Sequence, residues 1–312
     1  MTRQKIPRTG IRGHLEDSIS AFLQKFPDLH LGGQEDFHDE RRKHLEVFGI
    51  HNIPKDKVHP IHEVEFTGIK GPHGTVPIRV LYPSSGEENR KSNKAGGLIY
   101  FHGGGYTVGS VDEFENGLRT LAELSGVQIY TVEYKLAPEF RFPTQLDEYD
   151  AVIDALQGDF GKCRGISTVL GGGDSAGGNM TAAITLRRKD NGKKPLDAQI
   201  LFYPEARVPF DTPAAVENNT GHYLECNGIF SFADHYLPRG TPPTAVYTNG
   251  FDRLRDVGVE YASKLQEAGN KVIWRHYNGM THGWVQMTAW SEAAQSAVKD
   301  VASDIKALAY RS

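Results

Sequence analysis

Apolar residues along this chain follow two alternating patterns. Short apolar, β-rich runs alternate with segments in which apolar residues recur at every third or fourth position. Leu146, Tyr149, Ile153 and Leu156 mark one such helical segment. Strands that alternate with helices form mostly parallel sheets covered on both faces. The pattern therefore predicts an α/β fold with strands near residues 62–68, 76–82, 97–101, 128–133, 167–170 and 199–203.

Two segments interrupt this alternation. Residues 1–55 are predicted to be mostly helical, and this small piece must pack on another part of the chain. Residues 206–241 break the rhythm with prolines, asparagines and aromatic residues, and residues 244–312 resume it with two helical stripes. The apolar stripes predicted in the first segment are Leu15, Ile19, Phe22 and Phe26, then Phe37, Leu45 and Phe48.

Composition narrows the classes of partner. The chain has 312 residues, of which 38% are hydrophobic, enough for one large α/β domain. The formal net charge is −4 and no basic tract occurs, so we expect no nucleic-acid partner. The N-terminus lacks a signal-like apolar run, and no stretch is as long as a membrane span. We therefore expect no membrane partner and a cytoplasmic location.

Cysteines and histidines give little sign of a metal site or a disulfide framework. Cys163 and Cys226 are expected to be buried or idle thiols. His59 and His62 lie close together, but no cluster of cysteines or carboxylates accompanies them at ligand spacing, so surface histidines are the better interpretation. We expect no metal and no other cofactor. The sequence leaves the oligomeric state open, with a homodimer as one option.

The segment Gly173-Asp174-Ser175-Ala176-Gly177 carries the first candidate chemistry. It lies between a strand-like run and a helical pattern, so the serine is expected on a sharp elbow with its hydroxyl in a cleft. The two glycines fit a turn too crowded for side chains. The N–H of Ala176 begins the helix, where negative charge is favoured. Taken alone, the motif also fits an ordinary glycine-rich turn.

A second glycine-rich loop lies upstream, after the predicted strand 97–101. Its residues are His102-Gly103-Gly104-Gly105, and consecutive glycines can present backbone N–H groups to a developing oxyanion. A flexible loop is the alternative for this motif alone. A phosphate-binding loop fits less well, because the G-K-[ST] ending is missing.

Asp252 and His282 complete the set downstream. Each follows a β-type run, so both are expected in loops at strand ends, where catalytic groups gather in open α/β sheets. A neutral imidazole can accept the proton of a serine hydroxyl, and a carboxylate fixes the tautomer of that imidazole. The order serine, aspartate, histidine is the one expected of an α/β-hydrolase.

Together these motifs resemble the hormone-sensitive-lipase-like group of α/β-hydrolase carboxylesterases. The resemblance implies an α/β-hydrolase domain of residues 56–205 and 242–312. It also implies a small helical cap built from residues 1–55 and a shortened second segment, 206–241. The segments that carry the resemblance are 102–105, 134–139 followed by Phe142-Pro143, 173–178, 252–256 and 280–283.

The resemblance also implies residue roles. Ser175 would be the nucleophile, His282 the base and Asp252 the acid, with Asp256 as the rival carboxylate. The expected oxyanion donors are the N–H groups of Gly104, Gly105 and Ala176, and the motif residues expected to support them are His102, Gly103 and Asp174.

The sequence departs from the family pattern in three ways, of which the last bears on the substrate. Glu133 stands where aspartate is usual, and Lys135 stands where arginine is usual. The span from Ser175 to Asp252 is shorter than expected by about two helical turns or more, which predicts a reduced, open cap. The aromatic residues of that span either line a substrate pocket or form the core of the cap: Phe210, Tyr223, Phe230, Phe232 and Tyr236.

These observations predict a serine carboxylesterase that cleaves short-chain acyl esters of small molecules through an acyl-enzyme. Amide, carbamate and thioester bonds remain alternatives, because their cleavage also passes through a tetrahedral oxyanion. A non-catalytic small-molecule receptor on the same scaffold is a further alternative. The presence of the serine, the aspartate and the histidine together disfavours it.

Overall fold

The structure, a computed structural model, describes residues 6–7, 9–32, 36–206, 212–218, 221–224, 243–267 and 269–310. Within these residues, eight strands form one sheet. The strands are β1 (Glu63–Gly71), β2 (Gly74–Tyr82), β3 (Ala95–Phe101), β4 (Gln128–Val132), β5 (Ile166–Asp174), β6 (Ala198–Phe202), β7 (Thr244–Phe251) and β8 (Val272–Thr281).

The sheet has the order β1-β2-β4-β3-β5-β6-β7-β8. Strands β1 and β2 pair antiparallel with each other, and β2 pairs antiparallel with β4. The remaining pairs are parallel. The prediction of an α/β fold with a mostly parallel sheet is confirmed, and the carboxyl ends of β3, β5, β6, β7 and β8 share one edge.

Helices cover both faces of the sheet. They are α1 (Asp17–Lys25), α2 (Phe37–Phe48), α3 (Glu87–Lys91), α4 (Val111–Ser125), α5 (Thr144–Gln157), α6 (Asp159–Lys162), α7 (Ala176–Asp190), α8 (Pro213–Glu217), α9 (Arg255–Glu267) and α10 (Glu292–Ala309).

Strand β3 shows why the central runs are continuously apolar. All of its residues are buried, and successive side chains enter opposite cores. Leu98 and Tyr100 join the core that includes α4 and α10. Ile99 and Phe101 join the core that includes α5 and α7. A strand covered on both faces has no polar side to expose.

The N-terminal segment packs onto the α/β core. Ile19 and Phe22 of α1 and Phe48 of α2 belong to the same core as α4 and α10. The backbone N–H of Glu16 donates to the carbonyl of Gly279 in β8 at 2.8 Å. The segment therefore makes both apolar and backbone contacts with the sheet domain.

The stripe predicted for α2 was partly wrong. Leu45 is 40% exposed, whereas Glu40 and His44 are buried beside Phe48. The carboxylate of Glu40 accepts the N–H of Gly32, and His44 Nδ1 bonds the carbonyl of Glu40. A helix face that buries polar groups with local partners does not show an apolar stripe.

Only part of the second segment that interrupts the alternation, residues 206–241, is described. It contains α8 and the segment 221–224, in which Tyr223 is buried and packs edge-on against Phe48. The N–H of Leu31 donates to the carbonyl of Tyr223 at 2.8 Å, so this segment adjoins the N-terminal one. The predictions for Phe210, Phe230, Phe232, Tyr236 and Cys226 lie outside the described residues. The division into cap and catalytic domain stays a prediction.

Candidate active site

Ser175 occupies a strained elbow between β5 and α7. Its φ is +51° and its ψ is −117°, a conformation that a non-glycine residue adopts only when its surroundings enforce it. Two backbone bonds provide that enforcement: the Ser175 N–H donates to the carbonyl of Phe202 at 3.0 Å, and its carbonyl accepts from Asn179 at 3.0 Å. The elbow sits at the carboxyl edge of the sheet.

The two motif glycines are required by close packing against β3. A Cβ atom on Gly173 would lie 2.3 Å from the carbonyl oxygen of Phe101, and one on Gly177 would lie 1.8 Å from the same atom. Real Cβ atoms do not approach backbone so closely. The crowding predicted from the sequence therefore has a specific cause, the carbonyl at the end of β3.

Asp252 and His282 lie within hydrogen-bond distance of each other. His282 Nδ1 donates to Asp252 Oδ2 at 2.8 Å, and both side chains are buried. Leu254 N–H holds the other carboxylate oxygen at 2.8 Å. His282 Nε2 is buried and has no hydrogen-bond partner in the described part of the chain. The pair thus presents one imidazole nitrogen that can still accept a proton.

The rival carboxylate, Asp256, serves a different set of partners. It accepts from the backbone N–H groups of Gly10 and Ala214 and from the guanidinium of Arg255. These bonds join the N-terminal segment, α8 and α9. The structure brings Asp252, not Asp256, to the imidazole of His282.

The glycine-rich loop after β3 adopts left-handed backbone at consecutive positions. The φ values of Gly104, Gly105 and Tyr106 are +104°, +57° and +63°. A Cβ atom on Gly104 would lie 2.2 Å from the carbonyl oxygen of Val108, so only glycine fits there. Gly105 has open space where its Cβ would be.

Carbonyl bonds within the loop fix the direction of two N–H groups. His102 Nδ1 donates to the carbonyl of Gly103 at 2.8 Å, and the N–H groups of Thr107 and Val108 donate to that of Gly104 at 3.0 and 2.9 Å. In a trans peptide, the C=O of one residue and the N–H of the next point in opposite directions. The N–H groups of Gly104 and Gly105 therefore point away from these bonds.

Three N–H groups at this edge have no acceptor among the described residues, namely those of Gly104, Gly105 and Ala176. The N–H of Gly103 is already used, because it donates to Asp174 Oδ1 at 2.7 Å. Tyr100 donates its hydroxyl to the same oxygen at 2.8 Å. Burial raises the pKa of Asp174 to about 6. Asp174, which directly precedes Ser175, thus ties the glycine loop to the elbow.

Comparison with known proteins identifies the family of this chain. A family with the α/β-hydrolase fold matches residues 98–241 and 238–286. The esterase LipI of Mycobacterium tuberculosis is 28% identical over 269 residues, covering 80% of this chain and 83% of its own. The carboxylesterase NlhH of the same species is 29% identical over 244 residues, covering 71% and 75%.

A solved structure, the hyperthermophilic esterase of the archaeon Pyrobaculum calidifontis, is 30% identical. It has a TM-score of 0.83 and covers 95% of this chain and 99% of its own. The chain belongs to the α/β-hydrolase family. This confirms the resemblance to the hormone-sensitive-lipase-like esterases, and the chain is a hydrolase.

The hydrolase contains site residues that the sequence patterns did not single out. Glu205 follows the end of β6, and its N–H donates to the carbonyl of Ser175 at 3.3 Å. Its carboxylate accepts the hydroxyl of Tyr106 at 3.2 Å, and burial raises its pKa to about 7. The signal that the sequence offered for Glu205 is a charged residue soon after a buried strand.

The two departures from the family pattern both have partners in the hydrolase. The carboxylate of Glu133 accepts the N–H of Val111 at 3.0 Å, at the start of α4. Lys135 Nζ donates to Glu148 at 2.6 Å. Between them, the hydroxyl of Tyr134 donates to the carbonyl of His102 at 2.9 Å. This segment therefore supports the strand end from which the glycine loop departs.

A small cavity of the hydrolase adjoins His282 and Gly104. About 10 Å³ of it is open to the centre of a water molecule, which is close to the room that one water needs. Glu113 and His44 also line it; burial raises the pKa of Glu113 to about 8 and lowers that of His44 to about 4. Both groups are therefore uncharged near neutral pH.

The described residues lack both a cluster of metal ligands and a membrane-spanning helix. In the described part of the hydrolase, no three His, Cys, Asp or Glu side chains are grouped so as to hold a metal ion. None of its described helices combines the length and the apolar character needed to cross a bilayer.

Proposed function

We propose that this hydrolase is a serine carboxylesterase with Ser175 as nucleophile, His282 as base and Asp252 as the acid that orients the base. The observation that carries the proposal is the His282–Asp252 pair at 2.8 Å, with the opposite imidazole nitrogen unpartnered. The strained elbow of Ser175 at the same sheet edge supports its assignment as the nucleophile. The esterase relatives support an ester as the bond that is cleaved.

Acylation begins when Ser175 Oγ attacks the ester carbonyl and His282 Nε2 takes the hydroxyl proton. Because Nδ1 donates to Asp252, the neutral imidazole has its accepting lone pair on Nε2. The carboxylate then stabilises the imidazolium. His282 passes the proton to the alcohol oxygen as the C–O bond breaks, which leaves an acyl-enzyme.

The negative oxygen of the tetrahedral intermediate needs donors that are in place before the reaction. The N–H groups of Gly104, Gly105 and Ala176 lack other acceptors among the described residues, so they suit this role. Water then attacks the acyl-enzyme, His282 accepts its proton, and the collapse returns that proton to Ser175. Acid and free enzyme result, and no atom is left unaccounted for.

We further propose that short acyl esters are preferred. The cavity beside His282 and Gly104 has room for about one water, and each residue around it is buried. Its small volume leaves no space for a long alkyl chain. A long chain left in water gains none of the roughly 0.8 kcal/mol that burial of each methylene contributes.

The test is a series of chromogenic esters from acetyl to decanoyl, assayed with wild type, Ser175→Ala and the control Ser167→Ala on the same strand. We expect kcat to fall about 10⁴-fold or more in Ser175→Ala and to be unchanged in Ser167→Ala. Turnover by Ser175→Ala at the wild-type rate would rule out the nucleophile. A steady rise of kcat/KM with acyl length would contradict the short-chain preference alone.

A further inference from the structure

Arg41 of α2 reaches from the N-terminal segment to the glycine-rich loop. Its Nε donates to the carbonyl of Thr107 at 2.7 Å, and its Nη2 donates to the carbonyl of Ala137 at 3.0 Å. Two further bonds, of 2.7 and 2.9 Å, join its guanidinium to the carboxylate of Glu139. A planar guanidinium can bind a carboxylate with two parallel bonds and still donate to carbonyls.

Both carbonyls that Arg41 binds belong to residues that hold the loop. Thr107 donates its N–H to the carbonyl of Gly104 at 3.0 Å and its hydroxyl to that of Gly105 at 3.2 Å. Ala137 donates its N–H to the carbonyl of Tyr106 at 2.8 Å. Arg41 therefore contacts the loop through one intervening residue on each side. Thr107 binds the carbonyls of Gly104 and Gly105, and Ala137 binds that of Tyr106.

The loop needs such outside support. Its positive φ values include Tyr106 at +63°, which a non-glycine residue maintains only when several contacts fix it. Gly105 has no atom within 4 Å of the position where a Cβ would be, so space is available for a different peptide orientation. Without restraint of the flanking carbonyls, the N–H of Gly105 could turn away from the oxyanion.

We propose that Arg41 is a positioning residue for the oxyanion donors: docking of α2 on the sheet domain aims the Gly104–Gly105 peptide through Thr107 and Ala137. The inference rests on the proposed esterase function. It gives the N-terminal segment a part in the chemical step in addition to any covering role. Arg41 touches no reacting atom in this mechanism.

The ion pair that anchors Arg41 persists under assay conditions. The hydrogen bond from Arg41 is the largest cause that lowers the pKa of Glu139, to about 2. Glu139 therefore stays ionised across the pH range in which an esterase is assayed. Arg42, the next residue, offers a matched control, because it is exposed and pairs with Asp39 and Glu46 of its own helix.

The experiment compares wild type, Arg41→Ala, Arg41→Lys and Arg42→Ala with a chromogenic acetate ester. Active sites are first counted by stoichiometric reaction with an organophosphonate, so that unfolded protein does not enter kcat. We expect kcat per active site to fall about tenfold to a hundredfold in Arg41→Ala, with KM within about twofold. The kcat of Arg41→Lys should lie between those of wild type and Arg41→Ala, and the kcat of Arg42→Ala should equal that of wild type.

A transition-state analogue separates positioning from mere structural support. The inhibition constant of a trifluoromethyl ketone should rise in Arg41→Ala by the same factor as kcat/KM falls, because both depend on oxyanion donors. Equal kcat per active site in Arg41→Ala and Arg42→Ala, or a rise in KM alone, would overturn the inference. Absence of ester turnover in wild type would instead overturn the proposed function.

Discussion

The elbow at Ser175 and the glycine-rich loop are both strained turns at the same sheet edge, but they are held in different ways. At the elbow, where β5 meets α7, backbone atoms at the ends of β3 and β6 contact the turn directly. The loop depends on Asp174, Tyr134, Glu205 and Arg41, which come from distant parts of the chain.

This difference separates two kinds of sensitivity. A side chain added at either elbow glycine should disturb the fold itself, because strand and helix backbone meet there without spare room. A change in the contacts of the loop should leave the fold in place and misdirect its N–H groups. Residues far from the substrate can then reduce kcat without a large effect on substrate binding.

The largest effect is expected at Asp252, which accepts a hydrogen bond from His282. Asp252→Asn should lower kcat about 10⁴-fold, because an amide no longer selects the imidazole tautomer that accepts the serine proton. Asp256→Asn is the control: it should reduce thermal stability through its bonds to Gly10 and Ala214 while kcat per active site stays near wild type. Steady-state kinetics and thermal unfolding of both variants check this. The reverse ranking of kcat would show that the wrong carboxylate is assigned.

The same glycine-to-alanine change should have different results in the two turns. Gly177→Ala would place Cβ 1.8 Å from the carbonyl oxygen of Phe101, so we expect little or no folded protein. Gly105→Ala meets no atom but must keep a positive φ, a strain of about 1–2 kcal/mol. It should fold and lose about tenfold in kcat. Soluble yield, circular dichroism and kcat per active site measure the contrast, and a folded, active Gly177→Ala would refute it.

The smallest effect concerns the buried carboxylate beside the loop. Burial raises the pKa of Glu205 to about 7, so the protonated carboxyl favours the folded state at acid pH. The folded state loses this stability as the pH rises through 7. Glu205→Gln, which never ionises, should gain about 1–3 kcal/mol over wild type at pH 9 and little at pH 5.

Thermal melts from pH 5 to pH 9 would measure this dependence as a shift of a few degrees in Tm. Tyr106→Phe is the control, because it removes the hydrogen bond to Glu205 but no ionisable carboxylate. Its Tm difference from wild type should vary far less with pH. A gain in Tm from Glu205→Gln that is the same at pH 5 and pH 9 would contradict the raised pKa of Glu205.

Sequence reasoning located the parts that depend on local pattern. The buried strands and the elbow serine follow from continuous apolar runs and glycine spacing, although β5 extends to Asp174 beyond its predicted end at residue 170. Gly171–Gly173 continue the strand by pairing with Ile99–Phe101 of β3, and their neighbours leave little or no room for a Cβ.

The contacts of Arg41 and Glu205 could not be predicted in this way. The bond from Arg41 to Thr107 and the bond from Tyr106 to Glu205 both join segments that are distant in the chain. Neither residue interrupts a local pattern in a manner that identifies its partner. The roles assigned to the site residues, the cytoplasmic location and the oligomeric state stay predictions.

The most direct measurement is a crystal structure of the enzyme after reaction with an organophosphonate ester. The account predicts one adduct per chain, on Ser175 Oγ, with the phosphoryl oxygen 2.7–3.1 Å from the N–H groups of Gly104, Gly105 and Ala176. It also predicts that the Arg41→Ala adduct loses the contact with Gly105. An adduct on another residue, or a phosphoryl oxygen turned away from these three groups in wild type, would contradict it.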